Sequence, residues 1–285
     1  MIRDARRQQI DVVIQHATVP LSFSVWGKGQ PAWIFIHGMG SSRWAFADLL
    51  EKLAVKGAYY AVDLPGFGDS GLPPKRQQLT DYVDALRQFI DQMQLHLPIL
   101  VGHSFGGMVA AETTAQLGDQ INGCILVSSA GFIPPRNVMT PGTIEWLNRL
   151  AIWVMGMDVF GQRMVQSLGM DARYLTPSMR ERMRYGWRRS REMARMGAFY
   201  RSDQLVERLA QTDVPTIFIH GDRDPLFPLP RMQEKVGSNF PVLIMPGAGH
   251  LPYDQDIEMF LSLFEQAVAH LQSRRDIFSS QSGKR

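Results

Sequence analysis

Val101-Gly102-His103-Ser104-Phe105-Gly106-Gly107 is the stretch that decides how this chain is read. It follows the apolar run Leu97-Pro98-Ile99-Leu100 and precedes the small-residue segment Met108-Val109-Ala110-Ala111-Glu112, so the local order is strand, turn, helix. A G-x-S-x-G pattern at such a junction sets the serine on a sharp turn, with its hydroxyl lifted clear of the sheet edge. The flanking glycines have a mechanical reason: the turn has no room for a Cβ, and the helix must pack close to its neighbouring strand. Five residues of this kind also arise by chance in Gly-rich loops. The context between a hydrophobic strand and a helix is what makes Ser104 a candidate nucleophile.

A serine hydroxyl attacks only when a base takes its proton and a third group orients that base. Downstream, the apolar segment 216–220 leads into Gly221-Asp222-Arg223-Asp224-Pro225-Leu226-Phe227-Pro228, which offers two carboxylates. A second segment, Val242-Leu243-Ile244-Met245, leads into Pro246-Gly247-Ala248-Gly249-His250. Serine, aspartate and histidine therefore occur in that order, each on a loop after a predicted parallel strand.

Together with His37-Gly38-Met39-Gly40 and Asp63-Leu64-Pro65-Gly66-Phe67-Gly68-Asp69-Ser70, these motifs resemble the α/β-hydrolase superfamily over nearly everything from about residue 10 to about residue 270. The resemblance implies a triad of Ser104, Asp224 and His250, because the acid in such families lies three residues after the glycine. Asp222 is then a turn carboxylate capping a backbone amide. It also implies an oxyanion hole built from the backbone N–H groups of Phe105, next to the nucleophile, and of Met39 in the loop after Ile34-Phe35-Ile36. A serine at this position argues against the haloalkane dehalogenase and epoxide hydrolase relatives, which use aspartate. The implied activity is hydrolysis of carboxylic esters of small to medium, partly apolar character through an acyl-enzyme. Thioester, lactone and carbon–carbon bond hydrolysis run on the same machinery and stay open, as does a silent, ligand-sensing protein on the same fold. No cofactor and no metal are implied.

Other histidines read as structural. His103 neighbours the serine but points away from it, and His37 is placed to brace the oxyanion loop. His16, His96, His220 and His270 show no partner pattern. Gly66-Phe67-Gly68-Asp69-Ser70-Gly71 fits a dinucleotide-binding fingerprint literally and follows an apolar segment, 58–62. Such a site needs a helix to open at once, its N-terminus facing the pyrophosphate. Leu72-Pro73-Pro74 forbids that, and the stretch reads as a tight structural loop.

The sequence predicts eight strands: a hairpin of 10–15 and 19–26, then strands near Trp33, Tyr60, Ile99, Ile125, Ile217 and Leu243. With helices predicted at 44–54, at 81–93 behind Thr80 as cap, and at 258–271, they make a doubly wound, mostly parallel α/β sheet. The core comprises residues 1–130 and 204–272. Residues 131–203 are too many for a simple crossover and read as an inserted helical cap. Residues 273–285, rich in Ser, Gln and basic side chains, read as a flexible tail.

The chain has 285 residues, 45% of them hydrophobic, and a formal charge of +3. Its charge is unevenly spread. Residues 131–201 hold twelve arginines and no lysine against five acids, so they carry seven positive charges and the rest of the chain four negative. They also hold nine of the sixteen methionines, with Trp146, Trp153 and Trp187. Thr176-Pro177 opens one cap helix, on which Met179, Met183 and Trp187 recur beside a stripe of Arg180, Arg184, Arg188 and Arg191. The apolar set is either cap core or the wall of an acyl pocket. The arginines are either a solvated face or a contact for a membrane surface or an acidic carrier. Nucleic acid is not an expected partner, since no reading motif accompanies the basic residues. Met1-Ile2-Arg3-Asp4-Ala5-Arg6-Arg7 lacks an apolar region behind it, and no run approaches the ~18 apolar residues of a membrane span. Cys124 is the sole cysteine, inside an apolar strand. The expected compartment is the cytoplasm.

Overall fold

Each apolar run forms a strand, and the eight strands join one sheet in the order β1-β2-β4-β3-β5-β6-β7-β8. The structure, a computed structural model, describes residues 7–136, 158–195 and 204–282. β1 (Arg7–Ile14) and β2 (Ala17–Lys28) form the antiparallel hairpin, and β2 stays antiparallel to β4 (Gly57–Val62). β3 (Ala32–Ile36), β4, β5 (Ile99–His103), β6 (Gly123–Val127), β7 (Thr216–Gly221) and β8 (Val242–Met245) are parallel to their neighbours. The central strands are covered on both faces, which is why they are apolar throughout rather than alternating.

The two-residue period divides those strands between two cores. Ile34, Ile36, Leu100, Cys124, Leu126 and Phe218 face one layer, where α2 (Leu79–Gln92), α3 (Phe105–Leu117), α6 (Leu205–Ala210) and α7 (Leu229–Val236) pack. Trp33, Phe35, Val101, Ile125 and Ile219 face the other, covered by α1 (Ala47–Lys52) and α9 (Ile257–Ser282). Burial pushes the Cys124 thiol up to about 12, so it behaves as a small apolar side chain.

Three sequence expectations shift at their edges. The helix expected over 44–54 divides into a 3₁₀ turn, Arg43–Phe46, and α1. The cap of α2 is Gln78, not Thr80: Asp81 accepts from the Gln78 amide at 2.7 Å, and Gln78 closes the reciprocal bond. Asp81 is also held by Gln15 at 3.0 Å, which ties this helix start to the β1–β2 hairpin. Finally, α9 runs on to Ser282, past the end expected at residue 271. Nothing at its expected end breaks a helix, and Ser, Gln and Arg extend it without a Gly or Pro before residue 283.

The long stretch between β6 and β7 is described over 158–195. It holds α4 (Asp158–Ser167), a 3₁₀ turn at Ala172–Tyr174, α5 (Pro177–Arg188) and a second 3₁₀ turn at Glu192–Ala194. Thr176 caps α5, its Oγ1 accepting from Met179 N–H at 3.1 Å, with Pro177 in the first turn as the sequence indicates. This insertion has its own small core of Val165, Met170, Leu175 and Met179, against which Met183 and Leu251 pack. Trp146 and Trp153 lie outside the described residues. Among the described residues no helix is long and apolar enough to cross a membrane.

Candidate active site

β5 delivers Ser104 at its end, and α3 starts at the next residue. Ser104 has φ 52° and ψ −118°, in the half of conformational space that L-residues avoid. This strain persists because the surroundings fix it. The Ser104 carbonyl accepts from Gly107, Met108 and Ala130 N–H groups at 2.9, 3.2 and 2.9 Å, and its own amide donates to Val127 at 3.0 Å. A Cβ at Gly106 would collide with the Ile36 and His37 carbonyl oxygens. The G-x-S-x-G spacing thus follows from how closely α3 approaches β3.

Asp224 follows β7 and His250 follows β8, and their side chains meet Ser104. The Ser104 hydroxyl donates to His250 Nε2 at 2.8 Å, and His250 Nδ1–H donates to Asp224 Oδ2 at 2.8 Å. The donor direction follows from chemistry: an ionised carboxylate can only accept, which places the imidazole proton on Nδ1 and leaves Nε2 to accept from serine. Asp224 is buried, and its other oxygen accepts from Leu226 and Phe227 amides at 2.9 and 3.1 Å. Burial works against its charge, but the charge and hydrogen bond of His250 outweigh it and hold the carboxyl below its usual range. Asp222 is exposed and takes the other part foreseen for it, accepting from Gly247 N–H at 2.7 Å.

Three further histidines brace the loops that carry these groups, and each is buried. His37 accepts from Leu64 N–H on Nε2 at 3.1 Å, so its proton lies on Nδ1, which donates to the Gly38 carbonyl at 2.7 Å. His103 donates from Nε2 to the backbone carbonyl of His250 at 2.9 Å, and its ring stands 5.0 Å from that imidazole. His220 donates from Nε2 to the Phe227 carbonyl at 2.7 Å, closing the turn that presents Asp224. Burial lowers the pKa of all three, and His103, also repelled by His250, is pushed down to about 3. Neutral imidazole is the form that can brace without adding charge beside His250. His37 was legible as a brace; His103 and His220 were not, because their partners are backbone carbonyls distant in sequence.

The loop after β3 lies against the nucleophile. A Cβ on Gly38 would come within 2.9 Å of His103 and 3.2 Å of Ser104 Cβ, and Ser41 N–H closes a turn onto the Gly38 carbonyl at 3.3 Å. Met39 occupies that turn, partly buried against the core with Ile133, Met193 and Leu226. Phe105 opens α3 directly after Ser104. Of the two backbone positions expected of oxyanion donors, Phe105 is thus next to the serine and Met39 follows the glycine that lies against it. The Gly66–Gly71 stretch is the structural loop the prolines implied. Gly66 N–H bonds the Gly71 carbonyl at 2.7 Å, and Asp63 at its base accepts from Asp69 N–H at 2.9 Å and pairs with the buried Arg43.

The insertion grips this site through groups that sequence patterning passed over. Arg182 is buried between Asp48 and Asp254, the latter in α8 (Pro252–Gln255), four residues past His250. Tyr185 donates to Asp69 at 2.5 Å, Arg189 lies 3.4 Å from the same carboxylate, and Glu192 accepts from Gln77 N–H at 2.8 Å. Arg191, placed by its spacing in the arginine stripe, donates to the Ser70 carbonyl, and Arg195 donates to the Pro73 carbonyl at 2.7 Å. Of the apolar set, Met179 belongs to the insertion's core, whereas Trp187 reaches Gly40 in the loop after β3. Among the described residues no group of three or more His, Cys, Asp or Glu is arranged to hold a metal ion.

The sequence profile of the alpha/beta hydrolase family matches residues 33–262. A 1-acylglycerol-3-phosphate O-acyltransferase from Arabidopsis thaliana is 31% identical over 44% of this chain, and the match spans about a third of that relative's length (31%). A pimeloyl-[acyl-carrier protein] methyl ester esterase from Legionella pneumophila is 26% identical over 85% of this chain and 97% of its own. Among solved structures, a thermophilic esterase from Thermogutta terrifontis superposes with a TM-score of 0.71 at 19% identity, covering 93% of this chain and 99% of that one. Likeness at that level speaks for the fold alone.

Proposed function

The chain belongs to the alpha/beta hydrolase family, and on that premise we propose that it is a serine hydrolase of carboxylic esters, with residues 131–203 as its cap. The observation that carries this reading is the continuous hydrogen-bonded line from Ser104 Oγ through His250 to Asp224. Ser104 attacks the ester carbonyl as His250 Nε2 takes its proton, and Asp224 steadies the imidazolium. The amides of Met39 and Phe105 bind the oxyanion. Collapse expels the alcohol, protonated by His250, and leaves an acyl-enzyme. Water, deprotonated by the same histidine, then releases the acid. The esterase name of the Legionella relative supports ester cleavage. The partly buried Met39 and the Met193 side chain, both at the loop after β3, support an apolar acyl group of small to medium size.

A fluorophosphonate probe and a panel of p-nitrophenyl esters, with acyl-CoA thioesters and lactones alongside, test the reading. The intact protein should label rapidly and turn over esters best. Ser104→Ala should fold, fail to label and lose on the order of 10⁶ in kcat, the scale measured for a triad serine in an unrelated protease fold. Retention of more than a few per cent of activity would remove Ser104 from the mechanism. A folded wild-type protein that neither labels nor hydrolyses any panel member would instead be a ligand-binding relative.

A further inference from the structure

The insertion meets the site backbone to backbone at two places, and a glycine stands at each. In α5, a Cβ on Gly186 would lie 2.7 Å from the Gly40 carbonyl oxygen and 2.7 Å from Ser41 Cα. Helix and oxyanion loop touch there with nothing between them. Glycine inside a helix is less favourable than alanine, so its presence needs such a reason. The neighbouring Trp187 ring and Met193 sulfur bear on the same loop, each 3.3 Å from where a Cβ on Gly40 would stand. At the other contact, Leu168 accepts from the backbone N–H of His250 at 2.8 Å. Gly169, with φ 76°, lies so close to the acid loop that a Cβ would stand 2.5 Å from the Arg223 carbonyl.

The oxyanion loop is thus enclosed on three sides. His37 holds the Gly38 carbonyl, His103 and Ser104 flank Gly38, and α5 presses on Gly40 and Ser41. Met39 sits between these supports. We propose that the insertion belongs to the framework that fixes the reacting groups, and that Gly186 is the positioning residue through which α5 sets the Met39 amide. The inference rests on the serine hydrolase reading above and adds to it a role for a residue with no side-chain chemistry.

The polar contacts of α5 fit this role. Arg182 and Tyr185 tie the helix to three segments of the core, so a bulkier residue 186 cannot be relieved by a free swing of the helix. The oxyanion loop must give instead. Loss of one oxyanion donor costs about 10²–10³ in kcat, and misplacement by ~1 Å can cost about 10²-fold. A shift of a few tenths of an ångström is accordingly expected to cost on the order of tenfold.

The test is Gly186→Ala, assayed on an acetyl ester and with a trifluoromethyl ketone that forms the tetrahedral adduct. The expected result is a folded protein with kcat down about tenfold, ketone affinity down in step, and KM within twofold. The pH profile should keep its shape, because His250 and Asp224 are untouched. A merely structural role would lower the melting temperature and leave kcat and ketone affinity within twofold, and that result overturns the proposal. If Gly186→Ala does not fold, Trp187→Phe relieves the loop from the same side without adding atoms. It should lower kcat and ketone affinity together by a few-fold, and a change below twofold in both overturns the proposal equally. Wild-type protein that hydrolyses no ester and takes no fluorophosphonate would sink the functional reading beneath it, an outcome separate from either of these.

Discussion

Along β3, Ile34 and Ile36 lock into one apolar layer and Trp33 and Phe35 into the other, with neighbours fixed by strand register. α5 meets the same core through Arg182, Tyr185 and bare backbone at Gly186. The sheet is held by area; the insertion adds to a smaller set of apolar contacts, such as Leu251 and Met193, several polar bonds and close backbone approaches. Buried apolar area is insensitive to pH and salt, whereas each polar bond depends on its partner's protonation and geometry. The two regions should therefore fail in different ways when altered, and the variants below are chosen to expose that.

The largest effect belongs to the core and separates its two loop carboxylates. Asp224→Asn should lower kcat by about 10⁴, the size of the corresponding change in a serine protease, because an amide holds the imidazole in the wrong tautomer. Asp222→Asn removes only a cap on Gly247 and should cost less than tenfold. Steady-state kinetics on the preferred ester decide the ranking. A reversal would transfer the acid role to Asp222 and undo the geometry in which Asp224 meets His250.

That contrast also explains what the sequence could disclose. That Ser104, Asp224 and His250 would meet was legible because the family's motifs put a serine, an acid and a histidine on loops after parallel strands. The eight strands were legible because burial on both faces leaves an apolar run. Gly186, Arg182 and Tyr185 were not legible as site residues, since their partners lie far away in the chain and their contacts follow no period. One signal was available: a glycine on the helix face that also carries Arg182 marks a close approach. The arginine stripe misled for a related reason. Spacing puts Arg191 with Arg184 and Arg188, yet Arg191 turns inward to Ser70.

Acid should divide the two regions by sign. His37, His103 and His220 have pKa values lowered in the folded core, so below about 6.5 the unfolded chain binds the extra protons. Stability from each is fully present above that pH and is lost as pH falls, by at most about 1.4 kcal/mol per pH unit. Where the insertion docks, the order reverses. Burial lifts Asp254 to about 6 and also raises Glu192, so these groups hold protons in the folded state and favour it as pH falls from about 6 toward 4. Urea unfolding at pH 7, 6 and 5 should show a shallower acid loss for His103→Gln and a steeper one for Asp254→Asn. Parallel slopes for wild type and His103→Gln would mean that His103 takes up its proton in the fold as it does in the unfolded chain.

Arg182→Met tests the docking bonds directly. It leaves Asp254 buried without its cation, a change that costs about 3–5 kcal/mol for a fully buried pair. Asp48 is about half exposed, at 47%, so its share is screened and the expected loss is nearer 2–3 kcal/mol. The loss should appear mainly as opening of the insertion. Hydrogen exchange should quicken across 158–195 while β5 and β6 keep their protection. Uniform acceleration through the sheet would show that the two regions unfold as one unit.

The smallest effect is the most discriminating. Trp187 can serve the site as a wall for the acyl chain or as a weight on the oxyanion loop, and the two roles differ in how the loss depends on substrate. A wall contributes up to about 0.8 kcal/mol per methylene buried, so Trp187→Ala would hurt octanoyl esters far more than acetyl. A support acts on the oxyanion common to every ester, so its loss is the same factor at every chain length. The position of the ring favours support. It lies against Gly40, while its helical companion Met179 is buried in the insertion's own core. The expected outcome is a few-fold fall in kcat/KM that stays flat from acetyl to octanoyl. A loss that grows about fourfold with each methylene would return Trp187 to the acyl pocket and count against the insertion's part in setting the oxyanion loop.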